Sequence, residues 1–191
     1  NSQPVSKLTT FVNFFNSAIE TARLPIAIAS SVTTPLALAP NGTIAINDAT
    51  RKQLADLAQS LEGGAAPLSV QVSPQILDGL ARSTQPVDID LLARLQTAFA
   101  NHDLLRASFV PFNPSSAQRN SRVNDFQQLS KLGDQILELR NGEKNISPNV
   151  WFSNVLIDAD GAALLNTSNA HTVVLTPEAA AKIGTLDNYA K

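Results

Sequence analysis

The stretch PLSVQVSPQILDGL, Pro67 to Leu80, decides the fold. Leu68 to Val72 alternates apolar and polar side chains, the two-residue period of a strand. Ser73-Pro74 then supplies an N-cap residue and a proline at the first helical position, where a backbone N–H has no helical partner anyway. Ile76, Leu77 and Leu80 follow at helical spacing. A strand running directly into a helix is the building unit of α/β folds, and the same order recurs on both sides of this segment.

Upstream, Leu24 to Ala29 (LPIAIA) is a short apolar run expected to form a buried strand. Residues 1–23 are a lead-in. Within it Leu8 to Phe15 (LTTFVNFF) is β-branched and aromatic and reads as a strand, although Phe11, Phe14, Phe15 and Ala18 also share a helical face. Pro35 to Ile46 is a loop turning at Asn41-Gly42, after which Asp48 is expected to cap a helix. Its apolar face is Leu54, Leu57, Ala58 and Leu61, and Gly63-Gly64 ends it. Downstream, Asp88 is expected to cap a helix with Ile89, Leu92, Leu95 and Phe99 inward. Leu104 to Val110 then reads as a strand, stopped by Pro111-Phe112-Asn113-Pro114. A long helix from about Ser121 to Arg140 follows, with Val123, Phe126, Leu129, Leu132, Ile136 and Leu139 as its stripe. Asn149 to Phe152 and His171 to Leu175 read as strands. Asp158 caps a small helix between them, and Thr176-Pro177-Glu178 opens a last one. Such alternation predicts one α/β domain over residues 1–191, with a mostly parallel sheet covered by helices. No unit repeats in sequence, which excludes a solenoid.

With 43% hydrophobic and 16% charged residues, the chain has the apolar content of a folded domain and a surface rich in uncharged polar groups. The net charge of −2, with no basic stripe, argues against a nucleic-acid partner. Cysteine is absent, so no disulfide, thiolate metal site or thiol nucleophile exists, a composition compatible with export. The opening Asn1-Ser2-Gln3-Pro4 reads as the start of a piece of a longer protein. No apolar run approaches the roughly 18 residues of a membrane span.

In parallel α/β sheets ligands bind where the strands end at their carboxyl side. The residues expected there are Ser30 and Ser31, Ser73, Asn113, Ser153 and Asn154, and Thr176, all neutral hydrogen-bonding groups. Trp151 stands at an expected strand end, where its ring either stacks on a sugar or fills core. Ser30, Ser73, Asn113, Trp151, Asn154 and Thr176 are therefore the candidate ligand-binding set, and Ser, Thr and Asn suit sugar hydroxyls. Asp158 and Asp160 are the carboxylates nearest a strand end. Their pattern is that of a helix cap and a first-turn acid, and Asp158-Ala159-Asp160-Gly161 lacks the third oxygen ligand and distal Glu of a calcium loop. Glycoside hydrolysis needs two facing carboxyl groups, so here it would require an acid from outside the chain. His102 and His171 both precede strands and belong at the opposite pole. No nucleophile elbow, phosphate loop or dinucleotide fingerprint occurs. No catalytic set, metal site or cofactor is expected. Asn41-Gly42-Thr43, Asn145-Ile146-Ser147 and Asn166-Thr167-Ser168 match the glycosylation triplet, which arises readily in an Asn-rich chain.

The segment order LPIAIASSVTTPLAL (Leu24 to Leu38), Asn41-Gly42 and helix, PLSVQVSPQILDGL, ASFVPFNP (Ala107 to Pro114), Trp151 to Leu165 and TVVLTP (Thr172 to Pro177) resembles a family of large, exported, membrane-anchored actinobacterial proteins. Their ectodomain contains a divergent region similar to the (β/α) barrel of glycoside hydrolases and polysaccharide deacetylases. The resemblance runs from about Leu24 onward and implies a partial or distorted barrel. It also implies an extracytoplasmic setting, anchoring through a segment outside this chain, and work near the cell envelope. Active deacetylases carry an Asp-Asp pair after the first strand and a His-x-x-x-His motif. Here the first position is Ala29-Ser30-Ser31-Val32, no His pair exists, and Asn113 stands where family members often carry an acid. The expectation is thus a degenerate sugar-hydrolase-like domain that binds cell-wall glycan or an envelope protein. A hydrolase using Asp158 or Asp160 and a scaffold without a small-molecule site are the rival readings.

Overall fold

A computed structural model describes residues 28–64, 68–141 and 146–183. Five parallel strands, hydrogen-bonded in sequence order, curl into a half-barrel. They are β1 (Ala29–Val32), β2 (Ser69–Val72), β3 (Asp103–Arg106), β4 (Ile146–Ser153) and β5 (Thr172–Leu175). Between them run the helices α1 (Asp48–Glu62), α2 (Pro74–Arg82), α3 (Pro86–Phe99), α4 (Pro114–Arg119), α5 (Val123–Asn141) and α6 (Ala159–Thr167), and α7 (Pro177–Ala180) follows β5. The alternating α/β order and the parallel sheet are as the sequence predicts. The expected strand at Leu8 to Phe15 and the lead-in over residues 1–23 lie outside the described residues.

Apolar burial divides into two clusters. Leu54, Val70, Ile76, Leu80, Leu95 and Leu104 join α1, α2 and α3 to the first three strands. Ala117, Phe126, Trp151, Leu164 and Leu165 join α4, α5 and α6 to β4. Each large side chain so removed from water contributes about 1.5–3 kcal/mol. Among the described residues no helix is long and apolar enough to cross a membrane.

Several local expectations shift. Of the expected strand Leu24 to Ala29, residues 24–27 lie outside the described residues; β1 runs from Ala29 to Val32, so Ser30 and Ser31 lie within it. Asn47, not Asp48, caps α1, its side chain accepting the N–H of Thr50. Helix α3 starts at Pro86, and Asp88 sits in its first turn, buried in an ion pair with Arg51. The apolar stripes of α3 and α5 keep Leu95, Phe99 and Phe126 as expected but otherwise shift. Leu91, Leu95, Ala98 and Phe99 face inward on α3 while Ile89 is exposed. On α5, Phe126, Ser130, Gly133 and Leu137 face inward while Leu132 and Leu139 are exposed. Strand β3 stops at Arg106 because the chain there is drawn onto α5: the Phe109 N–H donates to the Leu129 carbonyl, and Gly133 lets Ala107 pass against the helix. After that detour Asn113 and Pro114 open α4, a helix not anticipated from the sequence.

Candidate functional site

The carboxyl ends of β1 to β4 surround a cavity of about 310 Å³. Of the six residues expected at this rim, Ser73, Asn113, Trp151 and Asn154 line it. Ser30 and Thr176 do not. Successive strand residues point to opposite faces, so Ser31 takes the lining position and Ser30 turns outward, exposed. Thr176 caps α7, its Oγ1 accepting the N–H of Ala179 at 3.3 Å. Thr33, Thr34, Gln71, Ser108 and Ser153 complete the polar lining, with Phe112, Phe152 and Val32 among its apolar walls. No ionisable side chain is among the described lining residues.

Gln71 organises the floor. The β3–β4 register jumps between Leu105, which faces Ser147, and Arg106, which faces Trp151. Gln71 reaches across from β2, and its Nε2 donates to the carbonyls of Arg106 (3.1 Å) and Phe152 (3.2 Å). One amide thus ties the ends of three strands together. Nothing local marked it, since a Gln at an alternate strand position reads as a solvent-facing residue.

The remaining polar groups divide by how they are used. The hydroxyls of Ser108 and Ser153 donate to the carbonyls two residues ahead, of Val110 (2.6 Å) and Val155 (2.9 Å). Asn113 Oδ1 accepts the N–H groups of Ser115 (2.8 Å) and Ser116 (3.3 Å), capping α4. Ser73 makes no side-chain cap bond and only a long contact, 3.5 Å, to the Phe109 carbonyl. Thr34 is buried, and its Oγ1 has no hydrogen-bond partner among the described residues. Trp151 is 5% exposed and packs against Phe126 with ring centroids 5.5 Å apart, so it is a core residue whose edge borders the cavity.

The carboxylates singled out in the sequence stand apart from the lining. Asp158 caps α6 through the Gly161 N–H at 2.9 Å and approaches Arg119 at 3.4 Å, and the bond from Gly161 holds its carboxyl below the usual range. Asp160 is exposed in the first turn of that helix. Behind the sheet Arg106 makes a bidentate pair with Asp134 (2.9 and 2.7 Å) and donates to the Ser168 carbonyl. Burial pushes the Asp134 carboxyl up while Arg106 pulls it back. Both histidines immediately precede strands, at the amino-end pole. His102 is buried, its Nδ1 accepting the Leu68 N–H (3.0 Å) and its Nε2 facing the Leu61 carbonyl (3.1 Å), a pairing that puts the proton on Nε2. His171 is exposed beside Asn166. Among the described residues no group of three or more His, Asp or Glu is placed to hold a metal ion. No family model, no curated protein and no solved structure matches this chain.

Proposed function

We propose that this domain binds a neutral carbohydrate in the cavity at the strand carboxyl ends, and that it holds the sugar without turning it over. The observation that carries the reading is the composition of the described lining: hydroxyls and amides around a floor amide, with aromatic and aliphatic walls. Sugars present that same mixture, with hydroxyls that donate and accept and C–H faces that pack on apolar surface. With the resemblance to exported actinobacterial ectodomains, these features favour a cell-wall glycan as ligand and an extracytoplasmic setting.

The test is a glycan and muropeptide array probed with the intact chain, with the retained sugars then recovered and analysed for cleavage. Selective retention of intact neutral glycans is the expected result. Retention of none contradicts carbohydrate binding and leaves a scaffold role, while recovery of cleaved glycans contradicts the absence of turnover.

A further inference from the structure

We infer that the cavity is built to refuse anions and to accept a neutral polyol in one polarity, with a ligand hydroxyl donating to Gln71 Oε1 and another accepting from Asn113 Nδ2. This rests on the sugar-binding reading and adds which side chains set selectivity. In α/β folds the helix amino ends that follow the strands ring the ligand site, and their free N–H groups draw phosphates and carboxylates. Here the first N–H groups of α2 and α4, the helices whose amino ends adjoin the described lining, are engaged or missing. Pro74 and Pro114 have none to offer. The Gln75 N–H at the start of α2 donates to the Phe109 carbonyl at 3.3 Å. At the start of α4, Ser115 and Ser116 donate to Asn113 Oδ1, and Ala117 donates to the Asn113 carbonyl. The Gly161 N–H of α6 is held by Asp158. An anion arriving in the cavity finds no side-chain cation in the described lining, and the first N–H groups of α2 and α4 beside it are spent or absent.

The orientation of the two amides is forced by their backbone partners. Backbone N–H groups only donate, so the atom of Asn113 facing Ser115 and Ser116 is its oxygen, and its NH₂ remains as a donor. Carbonyls only accept, so the atom of Gln71 facing Arg106 and Phe152 is its nitrogen. Both its hydrogens are thereby used, and Oε1 remains as an acceptor. A floor acceptor and a rim donor lining one cavity suit the hydroxyls of a neutral polyol, which both donate and accept. The acceptor opposes a carboxylate or phosphate, which would bring its lone pairs against Gln71 Oε1.

Asn113→Asp separates recognition from folding. Aspartate caps a helix as well as asparagine does, so α4 keeps its cap, but the free donor becomes an acceptor. The intact chain is titrated by calorimetry and NMR with cellobiose, maltose, mannobiose and chitobiose, and in parallel with glucuronate and inorganic phosphate. The expected result is binding of at least one neutral disaccharide. Both anions are expected to bind at least about tenfold more weakly than it, the scale of one lost hydrogen bond with its partner left buried. Asn113→Asp is expected to weaken the sugar by a similar factor with an unchanged unfolding midpoint. If phosphate or glucuronate binds as tightly as the best sugar, or if Asn113→Asp binds that sugar like the parent, the polarity inference is wrong and sugar binding stands. If no disaccharide shifts any resonance of the cavity, sugar binding itself fails and the inference falls with it.

Discussion

Gly133 shows how tightly single residues set this site. A Cβ there would lie inside the van der Waals shell of the Ala107 carbonyl oxygen and against the Phe109 nitrogen, both backbone atoms that cannot swing aside. Gly133→Ala is expected to lower stability by about 2–3 kcal/mol despite the better helix propensity of alanine, measured by urea unfolding. A neutral or stabilising result would mean that the β3 exit does not press on α5. Asp88 makes a second residue-scale test. The Arg51 hydrogen bond, assisted by Ser83, outweighs burial and holds its carboxyl below the ordinary value of 3.8. A depressed carboxyl stabilises the fold above its unfolded value and loses that contribution as pH falls through its folded one. Asp88→Asn is therefore expected to cost about 2–3 kcal/mol near neutrality, with the gap to the parent closing below pH 3.8. A gap that stays constant into acid would show that the charge of Asp88 is not what matters. At this scale the sequence was a fair guide to the rim, because Ser73, Asn113 and Asn154 follow strands in the chain and a parallel sheet collects such positions. It was blind to Gln71 and Thr34, whose roles depend on neighbours far away in sequence.

At the scale of elements, the boundaries turned on which polar residue wins a cap. Asn47 and Asp48 are both good N-cap types and adjacent, and composition does not rank them. In the structure Asn47 accepts the Thr50 N–H at 2.8 Å, while the Asp48 side chain is 99% exposed. Asn47→Ala is expected to cost about 1 kcal/mol and Asp48→Ala only a few tenths, compared by thermal unfolding. The reverse order would place the cap one residue later. Helical phase was the other weak point. On α3 and α5 the expected stripes held Phe99 and Phe126, which are buried, but also Ile89, Leu132 and Leu139, in place of which close packing selected the smaller Ala98, Ser130 and Gly133. Small residues are chosen where backbones approach, and a count of hydrophobicity does not register them. Helix α4 escaped for a related reason: Asn113-Pro114 is a cap and first-turn proline, but it stood beside Pro111 and read as a strand stop.

For the whole molecule, the decisive feature is that all five strands run one way. That alone puts the cavity at one pole and His102 and His171 at the other, and it was legible from the alternation of strands and helices. The curl into a half-barrel is what the family resemblance implied, whereas alternation alone does not give it, since it depends on twist and on the β3–β4 irregularity. Among the described residues β1 and β5 each pair on one side only, so amide exchange is expected to be slowest in β2, β3 and β4 and faster at the two edges. Equal protection across the sheet would indicate that both edges are covered. The central claim concerns where a sugar sits, and backbone shift mapping with the tightest-binding neutral glycan tests it directly. The account predicts perturbations confined to the carboxyl-end pole, around Ser31, Gln71, Ser73, Asn113 and Asn154. Perturbations centred on His102 and His171 at the amino-end pole would contradict it.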